Sequence, residues 1–158
     1  YVPEAKKVNA MNVDDSELKK AVEAFRQAGA EVDPSCTNVV SAIYANKPGD
    51  GSAREQAASC QRVLGGGANF AKEYATKRYR SNCINWGILP FLSDEGDKLP
   101  KGAWVLAKNV RQAMMADDEI EAFVYTDTVS KIALRLGSLT KDEKDILADG
   151  CLINYYKH

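Results

Sequence analysis

The sequence predicts an α/β domain with a mixed sheet. The chain has 158 residues, about the length of one domain. A strand-like run is followed by a glycine-rich turn, a helix-forming run and a second short strand, which is the order of a parallel βαβ unit. Further along, residues 119–125 and 131–136 alternate apolar and polar side chains, which predicts two antiparallel strands.

The first element in the chain is a helix predicted over residues 14–29. Leu18, Val22 and Phe25 recur at helical spacing and would form its buried face. The next run, residues 38–46, is rich in β-branched and aromatic side chains. Such a composition favours a strand, and we expect that strand to be buried.

A second helix is predicted over residues 52–64. Three consecutive glycines, residues 65–67, follow it and predict its end. The expectation after this stop is a short strand over residues 68–72, and then a short helix within the basic stretch 71–81.

The second half of the chain predicts extended segments over residues 88–91 and 103–107, and a last helix over 140–147. Thr140 can cap this helix, and Glu143 completes the S/T-x-x-E pattern of a capping box.

The composition excludes several classes of protein. Hydrophobic residues make up 45% and charged residues 27%, a balance typical of folded globular domains. No apolar run reaches the roughly 20 residues of a membrane span. The 21 basic and 22 acidic side chains argue against a dedicated nucleic-acid-binding protein. No secretory signal is visible in the sequence, and because it begins with Tyr1 we expect a chain that is processed, incompletely ordered at its start, or a piece of a longer one.

The cysteines and the single histidine predict no metal site within this chain. His158 is the last residue, and the four cysteines are far apart, without the close pairs that zinc and iron–sulfur sites use. Wide spacing in a chain of this size also favours free thiols and a cytoplasmic location. The cysteines are Cys36, Cys60, Cys83 and Cys151.

The loop between the first strand and the second helix is the best candidate for a binding site. Ligands of open α/β sheets bind at the carboxyl ends of strands, where this loop is expected. Gly49 and Gly51 would let the backbone approach a ligand, and free N–H groups at a helix start favour an anion. Arg54 can bind a carboxylate through two hydrogen bonds, and Ser52 adds a hydroxyl group.

The same residues also have a purely structural interpretation. Ser52 and Glu55 have the spacing of a capping box, which would explain both without any ligand. A cap can also face a bound anion, so both interpretations stay open on the residues alone.

Two motifs in this region resemble the aconitase superfamily. The run GSAREQAA at residues 51–58, followed by LGG at 64–66, resembles the GSSREHAA…LGG signature of that superfamily's swivelling C-terminal domain. Asn82 and the GILP run at 87–90 resemble its N…GLLP segment. The residues within and around these motifs look closest to a divergent aconitase-like hydratase branch and do not look like the small subunit of isopropylmalate dehydratase.

The resemblance implies a three-layer β/β/α swivel domain, here residues 1–158, of an iron–sulfur hydro-lyase. Ser52 matches the serine whose alkoxide removes a proton from substrate carbon, and Arg54 matches an arginine that binds a substrate carboxylate. Gly51 and Ala53 fall within the same substrate loop. A [4Fe-4S] cluster that polarises the substrate hydroxyl belongs to the family's other domains, and none of the four cysteines matches its ligands.

Two residues depart from the family pattern. Ala53 replaces a serine that helps to hold substrate, and Gln56 replaces the usual histidine. We therefore expect a hydroxy-polycarboxylic acid without specifying which one. Arg78 and Arg80 lie in the basic run that follows, and either could bind a second carboxylate of this substrate, although such a run is commonly a solvated face.

The expectation is thus a domain that is inactive alone, binds no cluster itself, and acts with cluster-bearing domains of the same enzyme. The alternative is a non-catalytic module that binds a carboxylate or phosphate metabolite as a regulator. Neither interpretation involves DNA or a membrane.

Overall fold

The computed structural model describes residues 15–157. Predictions that concern residues 1–14 and His158 lie outside this range. The elements are α1 (Asp15–Gln27), β1 (Ser41–Ala45), α2 (Arg54–Val63), β2 (Gly66–Ala71), α3 (Lys77–Asn85), β3 (Leu89–Leu92), a 3₁₀ turn (Gly96–Lys98), β4 (Trp104–Ala107), α4 (Val110–Ala116), β5 (Ile120–Tyr125), β6 (Val129–Leu134), α5 (Lys141–Ala148) and α6 (Leu152–Tyr155).

The predicted α/β class is confirmed, and its strands are divided between two three-stranded sheets. In the first sheet the order is β1-β2-β3 and all pairs are parallel. In the second the order is β4-β5-β6 and all pairs are antiparallel. The sheets meet at a single bridge, where Leu92 N donates to Arg135 O at 2.6 Å and Arg135 N donates to Leu92 O at 3.0 Å. The expectation of one mixed sheet is corrected accordingly.

The strand β2 separates two layers of packing because its side chains alternate between its faces. Ala68 and Phe70 join the main core, together with buried side chains of β5 and β6. Asn69 points the other way and is bonded to α3 side chains. The second sheet, the first sheet and the α2–α3 pair are therefore stacked as β/β/α, and the predicted three-layer arrangement is confirmed.

The helix α1 follows its predicted pattern. Leu18, Ala21 and Phe25 are buried, and Ala21 and Phe25 pack on Leu106 and Phe123 of the second sheet. The helix thus covers the face of that sheet opposite the main core. The capping box of α5 is also confirmed, with both Thr140–Glu143 hydrogen bonds formed.

The strand β1 forms, but the prediction that it is buried is wrong. Ile43 is 52% exposed and Tyr44 is 37% exposed. In the order β1-β2-β3 this strand occupies an edge of the parallel sheet. Its β-branched and aromatic composition reflects the preference of such residues for a pleated strand, which does not require burial on both faces.

Candidate active site

The loop that carries Ser52 lies at the carboxyl edge of the parallel sheet, beside the loop that follows β2. Two backbone hydrogen bonds join these loops: Glu73 N donates to Asn46 O at 3.1 Å, and Ala75 N donates to Pro48 O at 2.9 Å. Because both loops leave neighbouring parallel strands, residues 46–53 and the start of α3 share one edge of the domain. This is the edge at which open α/β sheets bind ligands.

Gly49 fixes the course of the loop. Its φ of 98° lies in the left-handed region that favours glycine, and a Cβ there would lie 2.5 Å from Cδ1 of Tyr79. Its carbonyl oxygen accepts two hydrogen bonds, from Thr76 Oγ1 at 3.3 Å and from Arg54 Nε at 3.2 Å. The sequence predicts that Gly49 lets the backbone approach a ligand; in the structure its close neighbour is the ring of Tyr79.

Arg54 is the first residue of α2, and its side chain is half-buried. Only its Nε is used, in the bond to the Gly49 carbonyl; within residues 15–157 the two terminal nitrogens have no partner. A guanidinium held in this way can still offer two parallel N–H donors from its end to a carboxylate.

Ser52 does not cap α2, so the predicted capping box is wrong. The N-cap residue is Ala53, which leaves Ser52 one position outside the helix and Glu55 at the second helical position. A capping box requires the acidic residue at the third position. The Glu55 carboxylate instead accepts a hydrogen bond from Trp86 Nε1 at 3.1 Å, which ties α2 to the end of α3.

The loop that carries Ser52 is open to solvent. Gly51, Ser52 and Ala53 are exposed, and a Cβ on Gly51 would meet nothing within 4 Å. In the described part of the chain, the Ser52 hydroxyl has no hydrogen-bond partner. The serine is therefore accessible, lies two residues from Arg54, and is not engaged in holding the fold together.

The two arginines of α3 have different surroundings. Arg78 is exposed in the first turn, two residues after Thr76, and makes no ion pair with any residue from 15 to 157. Arg80 is engaged: its Nη2 donates to Leu136 O at 3.1 Å and Ser138 O at 3.0 Å, and its Nη1 lies 3.5 Å from Glu143 Oε1. Its guanidinium joins α3 to α5 and to the segment that leads into it.

Beneath the loop lies a buried polar network that the sequence did not reveal. Asn69, which is 3% exposed, donates to Tyr79 Oη at 3.2 Å and Cys83 Sγ at 3.6 Å, and accepts from Gln61 Nε2 at 2.6 Å. Burial raises the pKa of Tyr79 to about 12 and raises the pKa of the Cys83 thiol. The network therefore stays neutral at ordinary pH.

This burial predicts the order in which the thiols react. Cys83 is fully buried and its pKa is raised, so less thiolate exists at any given pH, whereas Cys36 and Cys60 are exposed. We expect a thiol reagent at about pH 8, near the ordinary thiol pKa, to label Cys36 and Cys60 rapidly and Cys83 only after denaturation. Peptide mass spectrometry of the labelled chain checks this, and early labelling of Cys83 would contradict the packing described.

The described residues show no metal site. Across residues 15–157, no group of three or more His, Cys, Asp or Glu side chains is placed to hold a metal ion. Nor does any helix in that range have the length and apolar character to cross a bilayer.

The amino-acid sequence matches one known protein-family model over most of its length. The sequence model of the aconitase C-terminal domain matches residues 4–96, more than half of the chain and all of the candidate site. The chain belongs to the aconitase C-terminal domain family. Residues 97–158, which contain the antiparallel sheet and α5, lie outside this match.

The fold of this aconitase C-terminal domain is also found among solved structures. A 3-isopropylmalate dehydratase chain from Methanocaldococcus jannaschii matches with a TM-score of 0.53 and 25% identity, over 78% of this chain and 67% of that one. The motifs favoured an aconitase-like hydratase branch over isopropylmalate dehydratase. The solved structure, a 3-isopropylmalate dehydratase, does not support that preference. Among curated proteins, no match is found.

Proposed function

We propose that this aconitase C-terminal domain is the swivel domain of an aconitase-like hydro-lyase. In this proposal residues 1–158 supply Ser52 as the base and Arg54 as a carboxylate ligand for a hydroxy-polycarboxylic acid. One observation carries the proposal: at the carboxyl edge of the parallel sheet, an accessible serine hydroxyl lies two residues from an arginine whose Nε is anchored and whose terminal nitrogens are available.

The chemistry assigned to Ser52 is removal of a proton from the carbon next to the one bearing the hydroxyl group. A serine hydroxyl is a poor base unless its alkoxide is stabilised. Ser52 precedes the first turn of α2, where the helix dipole and free N–H groups favour negative charge. Arg54 adds a positive charge in the same place, and both lower the cost of the alkoxide.

Arg54 is assigned the substrate carboxylate, and the geometry supports an end-on pairing. Because Nε already donates to Gly49 O, the two parallel bonds would come from the terminal nitrogens. Gly51, where no side chain obstructs the backbone, and Ala53, at the helix start, would line the same subsite. Arg78 is exposed at the neighbouring helix start and is the better candidate for a second carboxylate.

Arg80 is not included in the proposed subsite. Its side chain is only 18% exposed, and its guanidinium bonds two backbone carbonyls and faces Glu143. Releasing it for a substrate would cost those bonds and leave the carbonyl of the buried Leu136 without this donor. We therefore give Arg80 a structural role.

The proposal requires partner domains. A [4Fe-4S] cluster held by those domains would polarise the leaving hydroxyl group; this chain contributes no ligand to it. Because Ser52 and its neighbours are exposed here, the other domains must cover them and exclude water when the site closes. A cytoplasmic location, consistent with four free thiols, belongs to the same proposal.

The test is a hydratase assay on this chain joined to, or mixed with, its cluster-bearing domains, using citrate, isocitrate and 3-isopropylmalate as probes. We expect turnover of a probe by the assembly and none by the chain alone. A chain that binds a probe while its assembly turns none over would support the regulatory binding module instead.

Substitution of Arg54 tests its part in binding. Arg54→Lys keeps the charge but loses the planar fork and the bond to Gly49, so kcat/KM should fall on the order of tenfold to a hundredfold, as for a lost charge-assisted hydrogen bond. The matched control is Arg62→Lys on the same helix, since Arg62 donates to Gly66 O at the far end of α2. Equal effects of the two substitutions would exclude a specific role for Arg54.

A further inference from the structure

The Gly49 carbonyl connects the substrate loop to the start of α3. Thr76 Oγ1 donates to it at 3.3 Å across a separation of 27 residues, and the same oxygen accepts Tyr79 N at 3.1 Å as the N-cap of α3. The Thr76 hydroxyl therefore both donates and accepts, and it sets the position of one carbonyl relative to one helix. That carbonyl is also the acceptor for Arg54 Nε.

Tyr79 supports the loop from below. Its ring lies so close to Gly49 that no Cβ would fit between them, and the side chain is 7% exposed. Asn69 bonds its hydroxyl group from within the buried network, and Gln61 holds Asn69 in turn. No buried side-chain nitrogen or oxygen among the described residues lacks a hydrogen-bond partner, so the surface on which Gly49 rests has little freedom to move.

We propose that Thr76 and Tyr79 are positioning residues: they fix the Gly49 carbonyl and, through it, the guanidinium of Arg54 in the orientation that receives a substrate carboxylate. The inference rests on the proposed function only in its last step, the carboxylate. Its first step, control of Arg54 by α3, is a property of this chain and is measured without substrate.

The physical reason for such a device is the freedom of an arginine side chain. A free arginine loses many rotamers when it binds, and that loss reduces affinity. An arginine whose Nε is already bonded loses less, because the plane of its guanidinium is set in advance. If the acceptor shifts, Arg54 keeps its charge but no longer holds one orientation.

The first experiment observes the Arg54 Nε–H group directly in ¹H–¹⁵N spectra of the chain, with Arg54→Lys to assign the signal. Thr76→Val removes the donor to Gly49. We expect the Arg54 signal to shift and its exchange with water to accelerate by about fivefold, the factor that one hydrogen bond is typically worth. Thr76→Ser, which keeps the hydroxyl group, should restore the original signal.

The chain offers a matched control for the loss of a helix cap. Thr140 caps α5 as Thr76 caps α3, accepting Glu143 N at 3.2 Å, but it has no bond to the substrate loop. Thr140→Val should destabilise the fold to a similar extent and leave the Arg54 signal unchanged. The inference is overturned if Thr140→Val moves that signal as much as Thr76→Val, or if Thr76→Val leaves it in place.

Tyr79→Phe examines the other positioning residue without removing its ring. The ring supports Gly49, whereas the hydroxyl group bonds Asn69, so the Arg54 signal should be retained in this variant. A signal displaced as far as in Thr76→Val would show that the ring alone does not set the loop.

The last step is tested in the assembled enzyme with whichever of citrate, isocitrate and 3-isopropylmalate it converts. Thr76→Val should raise KM about fivefold with kcat changed less than twofold, since Arg54 binds and does not transfer the proton. Thr140→Val should change neither. If the wild-type assembly converts no probe, the proposed function fails while the spectra still decide whether α3 controls Arg54.

Discussion

Replacing Ser52 with alanine should reduce kcat of the assembled enzyme on the order of a thousandfold, with KM changed little. A positioned general base contributes typically 10²–10⁴-fold to rate. Arg54, which binds substrate in the ground state as well as in the transition state, stays in place, so affinity is retained.

The fold should not change in Ser52→Ala. The side chain is exposed, does not cap α2, and its hydroxyl group bonds no residue between 15 and 157. Its stability should stay within about 0.5 kcal/mol of the wild type. Thermal unfolding of the variant distinguishes lost chemistry from lost structure.

Ser59 provides the control, since it lies on the same helix and its hydroxyl group donates to Gln56 O at 3.2 Å. Ser59→Ala should keep full activity. If Ser52→Ala retains most of its kcat, Ser52 is not the base, and the hydro-lyase assignment of this loop loses its main support. If both variants lose activity equally, the effect belongs to α2 as a whole.

The sequence could predict the elements of this fold because their signals are local. The apolar spacing of α1, the glycines after α2, the alternation in β5 and β6 and the capping box of α5 all depend on neighbours within a few residues. The same is true of the first of the two motifs that indicated the family, residues 51–58, which form one continuous loop and helix start.

What the sequence could not predict depends on contacts between distant residues. The strands pair into two sheets that meet where Leu92 bridges Arg135, and the exposure of β1 follows from its place at an edge of its sheet. Glu55 had the spacing of a capping residue, yet its partner is Trp86, 31 positions along the chain. Arg80 was likewise a candidate for binding an anion. The sequence does not show that its guanidinium bonds the carbonyls of Leu136 and Ser138, which lie more than fifty positions away.

The candidate site illustrates both cases. Ser52 and Arg54 were identified because a short motif contains them. Thr76, Tyr79 and Asn69, which determine where that motif lies, come from two other elements, and no spacing rule connects them to it. Their contribution depends on contacts between the loop that carries Ser52 and the loop that leads into α3, which are distant in the sequence.

Among glycine-to-alanine substitutions in this domain, Gly87→Ala should lower the stability of the fold the most. Gly87 follows the end of α3 with φ of 71°, and a Cβ there would lie 1.7 Å from the carbonyl oxygen of Gly150, which follows α5. The obstacle is backbone, so no side chain can rotate away. Ile88, the next residue, is fully buried and would be displaced with any adjustment.

We expect Gly87→Ala to lower the free energy of unfolding by about 3 kcal/mol or more, combining left-handed strain with overpacking. For a chain of this length that corresponds to a fall in Tm of about 10 °C. Gly102→Ala separates the two contributions, because Gly102 has φ of 85° but nothing within 4 Å of its Cβ position. It should lose only about 1 kcal/mol from strain. Denaturant unfolding of both variants tests this prediction. Equal losses of unfolding free energy would mean that Gly87 and Gly150 do not approach each other as closely as described. A Gly87 variant that fails to fold, beside a stable Gly102 variant, would agree with the close approach.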